Sequence, residues 1–493
     1  MTLDELLKGV KVSNEVPAVS VAGLQYDSRK LNPREVFFAF RGERVDGHTF
    51  IHQALQRGAA AIVSERPPDP SVAAPWIQVQ HGREALATAS LNFYGYPDRG
   101  LYLTGVTGTN GKTTTVYLVD SILRAAGFIT ASFGTIEQRI AGRRQPTINT
   151  TPESLDLVRN FVELRQQGGS HATFEVSSHA LELRRVHRFQ FHTVVFTNLT
   201  RDHLDFHGTM ENYAAAKRRL LEGAGGPVPK YAVIYHGDSW GRKWEKLGGF
   251  QALTYGLDNG AQITATKVAY DFQGVQFMAS TPAGRFGVKS SLLGKFNVLN
   301  IMAAIGVGLS YQLQPDVLVA GIEQCRSVPG RLEKIDRGQP FVVVVDYAHT
   351  DDALRNVIQS ARELASHRTP PGRVVTLFGC GGDRDRSKRP LMGEAAGSLS
   401  DLVVLTSDNP RSEEPLNIIN DAVVGLQRVN SRYLIEPDRA TAIRRAIQEA
   451  RAGDVVILAG KGHETYQVVG STTLPFDDRE VARRVLEEFG YGG

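Results

Sequence analysis

Four continuous apolar runs mark the last third of the chain, at 342–345, 374–378, 402–406 and 455–459. None alternates between polar and apolar positions, which predicts strands buried on both faces. Each gives way to a turn bearing Gly or Asp and then to a helical pattern, so residues 331–493 read as a doubly wound parallel domain. Strands and helices also alternate from about 101 to 330, with strands predicted at 101–104, 173–176 and 193–196. The stretch 255–293 is richer in strand-like residues and reads as an insertion. Residues 1–100 hold shorter runs, 36–40 and 59–63, between polar turns. Breaks at 96–100 and 328–331 divide this α/β chain into expected domains 1–100, 101–330 and 331–493. No repeat of fixed period interrupts that order.

The chemistry starts just after the run at 101–104. The segment Thr107-Gly-Thr-Asn-Gly-Lys-Thr-Thr114 precedes a helical pattern in which Val116, Val119, Ile122 and Leu123 share one face and Gly127 makes a stop. A strand, a glycine-rich turn and a helix aim backbone N–H groups and a helix N-terminus at one point, which is a cradle for phosphate. Gly108, Thr109, Asn110, Gly111 and Thr114 belong to that cradle. Lys112 brings a point charge for the outer phosphates, and the Thr113 hydroxyl is suited to Mg²⁺. Val106 stands six positions before Lys112, where the generic P-loop has glycine, so a P-loop kinase is disfavoured.

Composition narrows the class. The 493 residues carry 56 Lys plus Arg against 52 Asp plus Glu, a net charge of +4, too balanced for a nucleic-acid binder. Hydrophobic content of 42% fits a soluble globular protein. Two distant cysteines, Cys325 and Cys380, make a disulfide framework unexpected and a cytoplasmic location the default. The start carries acidic residues and no secretory pattern, and no stretch of about 18 apolar residues exists to span a membrane.

In open parallel sheets ligands bind beyond the carboxyl ends of the strands. In the central region those ends carry the phosphate loop, Glu175-Val-Ser-Ser-His179, and 197–207 with its Asp-His-Leu-Asp-Phe-His cluster. Glu175 and His203 supply an oxygen and an imidazole, and Mg²⁺ needs few protein carboxylates when phosphates complete its shell. For His207 a ligand role and an ordinary hydrogen-bonded histidine both stand. In the last domain the ends carry Asp346-Tyr-Ala-His349, Gly379-Cys-Gly-Gly-Asp-Arg-Asp385, Asp408-Asn-Pro-Arg411 and Gly460-Lys-Gly-His-Glu464. Arg384 and Arg411 with Asp408, Asn409 and Glu464 suit a zwitterionic ligand; a salt-bridge network on the sheet edge is the competing reading.

These motifs, with Tyr26-Asp-Ser-Arg29, Asp46-Gly-His-Thr-Phe-Ile51, Asn149-Thr-Thr-Pro152, Ala215-Ala-Lys217, Gly294-Lys-Phe-Asn-Val-Leu-Asn300 and Pro329-Gly-Arg-Leu-Glu333, resemble the Mur ligase family in order and over nearly the whole chain. The resemblance implies a small N-terminal α/β domain for the UDP end of the substrate, a central P-loop ATPase domain with a parallel sheet, and a Rossmann-like C-terminal domain for an incoming amino acid. It implies ATP-dependent amide ligation through an acyl phosphate in peptidoglycan precursor synthesis, with Mg²⁺; the chain is expected to be a monomer with no nucleic-acid partner and no membrane segment. Ser28, His48, Thr49 and Phe50 correspond to uridine-nucleotide contacts. Asn149, Thr150, Thr151, Ser177 and Arg185 correspond to the site of the UDP-linked muramoyl dipeptide. Asn297, Arg331, Asp346 and His349 correspond to ATP contacts. Arg384, Asp408, Asn409, Pro410, Arg411, Gly460 and Glu464 correspond to the diaminopimelate site, and Asp-Asn-Pro-Arg resembles members that use meso-diaminopimelate rather than lysine. Lys112, Glu175, His203 and Lys217 are the implied catalytic set, with Thr113, Glu175, His203 and Lys217, the last as a carbamate, on metal. From the residues alone, Lys217 in Ala-Ala-Ala-Lys-Arg-Arg reads as a solvated helix lysine.

Leu183 and Asp351 depart from the family pattern, where Gln and Pro are usual; Asp351 is expected to cap the next helix. His236 is given no nucleotide role, and Cys380 reads as a small buried residue. Rival readings are a lysine-adding relative, a folylpolyglutamate-type ligase, and a nucleotide-dependent binding subunit without ligase activity.

Overall fold

The computed structural model describes residues 1–42, 45–366 and 371–492. Its three larger sheets follow one another along the chain and give three domains. The last is the most direct product of the hydrophobic pattern. Its order is Glu333–Ile335, Val342–Asp346, Val455–Ala459, Val374–Phe378, Leu402–Leu405, Tyr433–Ile435, parallel except at the first pair. Successive strand residues point to opposite faces. Val342, Val344 and Ile457 therefore meet a layer containing Leu354, Ile358 and Ile419, while Val343, Val345 and Leu458 meet Ile443, Ile447 and Leu486. Helices on both faces are why the runs are apolar without alternation. The two outer strands, of three residues each, are too short to leave a sequence signal.

The central sheet has eleven strands. Tyr102–Thr107 lies inside it, in parallel with Phe191–Phe196 on one side and His171–Glu175 on the other. Parallel pairing runs outward to Thr130–Phe133 on one flank and to Tyr231–Tyr235, Gln251–Gly256 and Ile263–Asp271 on the other. Both margins are antiparallel. The stretch expected as an insertion is instead an extension of this sheet: Gly274–Thr281 and Gly284–Ser290 continue its hydrogen-bond ladder, since antiparallel neighbours need only short turns. Because the inner strands are parallel, the phosphate loop, Glu175 and Thr197 leave the sheet at one edge.

The N-terminal sheet is a parallel set of four, Gly23–Gln25, Glu35–Ala39, Ala61–Ser64 and Trp76–Gln78. Leu155, from the central helix Ser154–Gln166, completes its core, and the Tyr26 hydroxyl donates to Asp156 Oδ2 at 2.5 Å. The C-terminal domain meets the central one through apolar packing, in which Leu293, Phe272 and Phe296 join its core, and through polar contacts. Asp352 Oδ2 accepts from Asn110 Nδ2 at 3.0 Å and Thr200 Oγ1 at 2.9 Å, and Lys388 Nζ reaches Asp202 Oδ1 at 2.7 Å. The expectation that Asp351 caps its helix is corrected. Thr350 Oγ1 accepts from Ala353 N at 3.2 Å, and Asp351 sits in the first turn, where its charge complements the helix dipole.

Candidate functional site

The phosphate loop is shaped by two glycines with no room for a side chain. A Cβ on Gly108 (φ 146°) would lie 1.9 Å from Thr197 Oγ1, and one on Gly111 (φ 89°) 2.5 Å from Asn300 Oδ1. The segment after the neighbouring strand clamps the loop: Thr197 Oγ1 and Asn198 Nδ2 donate to Asn110 O at 2.6 and 3.1 Å, and Asn198 Oδ1 accepts from Asn110 N at 3.0 Å. The helix Lys112–Ala125 starts there and carries Thr113 and Thr114 in its first turn, both buried.

Two lysines converge on one loop carbonyl. Lys112 Nζ donates to Gly108 O at 2.9 Å and Thr109 O at 2.8 Å, and Lys217 Nζ donates to Gly108 O at 2.8 Å. The solvated reading of Lys217 is corrected: it is 1% exposed, over the Tyr213 ring. The helix Met210–Leu221 turns Tyr213, Ala214 and Lys217 inward. Desolvation first, and the charge of Lys112 second, push Lys217 far below the ordinary lysine range, with Asp202 opposing. Lys112 is lowered too, mainly by burial, with Glu175 and Asp202 opposing.

Beside them Glu175 Oε1 accepts from Thr113 Oγ1 at 2.9 Å and Thr135 N at 2.8 Å, and Arg331 Nη2 donates to Thr113 Oγ1 at 3.1 Å. His203, at φ 52°, stands 3.3 Å from Asp202 Oδ2. Its side chain is 41% reachable by solvent, yet desolvation dominates and holds its pKa at about 3, against the pull of Asp202, so the ring is neutral at pH 7. His207 Nε2 lies 2.9 Å from Ser178 Oγ. His236 pairs with Glu245, and Cys380 lies buried against Met392, its thiol pushed up to about 12.

The other nucleotide candidates line the domain junction. Asn297 is buried, donating to Leu293 O at 2.7 Å and accepting from Asn300, which also borders Gly111. Asp346 ends its strand, accepts from Leu332 N and Ala348 N, and has its pKa raised by burial against the pull of Arg331. His349 is exposed, with Nδ1 2.9 Å from Tyr347 O.

Among the substrate candidates, Thr151 Oγ1 donates to Glu175 O at 2.8 Å and accepts from Ser177 N at 3.1 Å, while Arg185 reaches Thr151 O at 3.1 Å and Glu153 Oε1 at 3.1 Å. Thr150 Oγ1 lies 3.2 Å from Thr135 Oγ1. Ser177 caps the helix Ser178–Glu182, and Asn149 is exposed at the margin. In the N-terminal domain Ser28 Oγ donates to Gln53 Oε1 at 2.6 Å. That ties it to the helix following His48, Thr49 and Phe50. His48 Nδ1 lies 2.5 Å from Asp46 Oδ1, and its buried Nε2 has no partner among the described residues.

At the C-terminal sheet edge Asn409 Nδ2 donates to Glu464 Oε2 at 3.0 Å, and the buried Lys461 bridges Asn409 Oδ1 (3.1 Å) and Glu464 Oε2 (3.0 Å). Arg411 (φ 53°) donates from Nη1 to Gly382 O at 2.6 Å, and Arg384 flanks the same Gly381 turn. A Cβ on Gly460 (φ 111°) would lie 2.7 Å from Asp408 Oδ2, and one on Gly382 1.8 Å from Pro410 O. A hairpin, Tyr466–Val469 with Thr472–Pro475, covers the Asp408–Arg411 turn, with Gln467 Nε2 on Asp408 O at 2.7 Å and Val468 N on Asn409 Oδ1 at 2.9 Å. Sequence reasoning missed Thr135, Gln53, Asp352, Lys461 and Gln467. Lys461 was detectable inside its motif; Gln467 and Asp352 meet the site only through tertiary contacts.

Comparisons with known proteins agree with this geometry. The Mur ligase family catalytic domain matches residues 20–94, the Mur ligase middle domain 106–308, and the Mur ligase glutamate ligase domain 330–462. A UDP-N-acetylmuramoyl-L-alanyl-D-glutamate–2,6-diaminopimelate ligase from Solibacter usitatus is 57% identical over 495 residues, covering 100% of this chain and 99% of the relative. A protein of the same name from Geobacillus thermodenitrificans is 43% identical over 472 residues, covering 95% of each. A solved structure of a ligase with that name superposes with a TM-score of 0.70 at 33% identity, covering 100% of this chain and 99% of that one. The MurF ligase of Thermotoga maritima in complex with ADP shares the fold at 20% identity, with a TM-score of 0.64 over 95% of this chain and 98% of that one.

Proposed function

The chain belongs to the Mur ligase family, and we infer that it is the ATP-dependent ligase that adds meso-diaminopimelate to UDP-N-acetylmuramoyl-L-alanyl-D-glutamate in peptidoglycan precursor synthesis. The observation that carries this reading is whole-length likeness to the Solibacter ligase at 57% identity. The acceptor turns add a physical reason: diaminopimelate exceeds lysine by one far-end carboxylate, and Arg411 and Arg384 offer guanidinium groups for it.

Amide synthesis must turn a carboxylate, a poor electrophile, into a reactive acyl group. The D-glutamate carboxylate oxygen attacks the γ-phosphorus of ATP, ADP leaves, and an acyl phosphate forms. The diaminopimelate amine then attacks the acyl carbon, loses its proton, and phosphate departs from the tetrahedral intermediate. Charge crowds both steps, so fixed N–H donors and cations lower the barrier. The N-terminus of the helix Lys112–Ala125 and the Lys112 ammonium would meet the phosphates, while Thr109 N and Asn110 N are held by Asn198; Arg331 stands at the junction beside Thr113. Arg185, held on the carbonyl of the buried Thr151, orients the dipeptide, and Glu464 with Asp408 holds the ammonium ends of the amino acid.

The donor set fits Mg²⁺. The Thr113 hydroxyl and the Glu175 carboxylate are hard oxygen donors side by side, and among the described residues no group of three or more His, Cys, Asp or Glu forms a cage of its own. Thr113 and Glu175 would hold one ion, and His203 with Lys217 a second. Bound there, Mg²⁺ supplies charge neutralisation to the transferring phosphoryl group. The environment of Lys217 favours the neutral amine, the form that adds CO₂ to become an anionic carbamate with oxygen ligands. No helix among the described residues is long and apolar enough to cross a membrane. We propose a monomer working in the cytoplasm, with Ser28 and His48–Phe50 at the uridine end and units 1–100, 101–330 and 331–493 each built on its own sheet.

Phosphate release tests the reading: it should require the UDP-linked dipeptide and meso-diaminopimelate together. Equal turnover with lysine would refute the substrate assignment.

A further inference from the structure

We propose that two fully buried arginines, Arg439 and Arg389, are positioning residues that set the spacing of the acceptor turns; this rests on the diaminopimelate reading of those turns. Arg439 opens the helix Arg439–Gln448 and is 1% exposed. Its guanidinium grips Asp478 with two prongs, Nε to Oδ1 at 2.8 Å and Nη2 to Oδ2 at 2.7 Å. It also ties down two strand ends, Nη1 donating to Ser407 O at 3.1 Å and Nη2 to Ala459 O at 2.9 Å. Ser407 immediately precedes Asp408, and Ala459 immediately precedes Gly460. One rigid plane therefore fixes the separation of the turn bearing Asp408, Asn409 and Arg411 from the turn bearing Gly460 and Glu464.

Arg389 does the same on the other flank. It lies in the helix Lys388–Leu399, also 1% exposed. Nη1 donates to Glu413 Oε2 and Asp421 Oδ2, both at 2.9 Å, and Nη2 to Glu413 Oε1 at 2.7 Å and Gly381 O at 3.2 Å. Glu413 Oε1 in turn accepts from Asp383 N at 2.7 Å. The turn holding Arg384 is thus locked to the segment two residues past Arg411. Lysine cannot substitute in either place, because an ammonium is a point charge and these contacts need a planar fork with fixed donor directions. Carboxylate partners compensate each guanidinium, Asp478 fully buried beside Arg439 and Glu413 and Asp421 half-buried beside Arg389. Neither arginine needs to touch the amino acid; both act through where Arg384, Asp408, Arg411 and Glu464 stand.

Arg439→Lys and Arg389→Lys keep the charge and remove the fork. In a ligation assay on the full chain, KM for meso-diaminopimelate should rise at least about tenfold, because displacements on the order of 1 Å are that costly at a polar site. KM for ATP and for the UDP-linked dipeptide should stay within about twofold, and the preference for diaminopimelate over lysine should narrow. Equal changes in all three KM values, or a lowered melting temperature with unmoved KM values, would overturn the proposal. If Arg439→Lys does not fold, Asp478→Asn is read by the same three constants, alongside Arg389→Lys. Wild type serves as the control: no diaminopimelate-dependent phosphate release there sinks the site reading itself, whereas a normal wild type with unmoved variants sinks only the clamps.

Discussion

The phosphate loop and the proposed acceptor site both gather charge at the carboxyl edge of a parallel sheet, but from different materials. The phosphate centre is built mainly on contiguous backbone: two glycines without room for a Cβ, a helix N-terminus, and Lys112 folded onto the loop carbonyl that Lys217 reaches from 109 positions away. The acceptor site is built from separated turns, at 379–385, 408–411 and 460–464, joined by side chains that span 52 to 55 positions, such as Lys461 to Asn409 and Asn409 to Glu464. A contiguous cradle carries its own geometry, because N–H directions follow from φ and ψ. A convergent site borrows its geometry from whatever fixes the sheet edge, here buried guanidinium groups and a covering hairpin.

The contrast can be broken experimentally. The largest effect is expected for Lys217→Ala. Removing this buried amine should cut kcat on the order of 10³-fold, as loss of a central electrostatic group does, while a thermal melt still shows a folded chain. Near wild-type turnover would mean that the phosphate centre is only the glycine loop. Next, Arg411→Gln should weaken use of meso-diaminopimelate by roughly 10²-fold in kcat/KM while leaving lysine use almost unchanged, since only the far-end carboxylate loses its partner. Parallel losses for both amino acids would make the acceptor turns a general scaffold rather than a selective one.

The smallest effect concerns the strand that carries Glu175 at its far end. His171 begins that strand, packed against Tyr102, Phe128 and Tyr311, and burial holds its pKa at about 4. The unfolded chain takes up this proton first, near the ordinary histidine value of about 6.5. Its contribution to stability is therefore complete above pH 6.5 and is lost as the pH falls toward 4. Denaturant midpoints should show a loss of about 2 kcal/mol between pH 6.5 and 5, flattened in His171→Phe. An unchanged slope in that variant would assign the acid sensitivity elsewhere, for instance to His192, also held at about 4 by burial.

Legibility followed the same division. The sheet interiors could be read because both faces of 342–346, 374–378 and 455–459 meet helices, which favours apolar residues at nearly every position, Thr376 and the strand-end Asp346 apart. The edges could not: the strands Glu333–Ile335 and Tyr433–Ile435 are too short, and the hairpin pair Glu137–Ile140 and Arg143–Pro146 is polar because it is barely buried. Lys217 was the sharpest failure of local pattern, since three alanines and two arginines around it suggest a wet helix while the inward face presses it beneath Gly108. Asp351 failed in a smaller way, its neighbour Thr350 taking the cap.

By itself the sequence determined the alternation of strands and helices, the glycine cradle and the family likeness, because these depend on residues close together along the chain. Only the tertiary structure decided that Lys217 is dry, that His207 meets Ser178, and that Arg439 and Arg389 fasten the turns around Arg411. Burial and long-range hydrogen bonds come from how distant segments pack, and no local pattern of polar and apolar residues encodes which partner a side chain will meet.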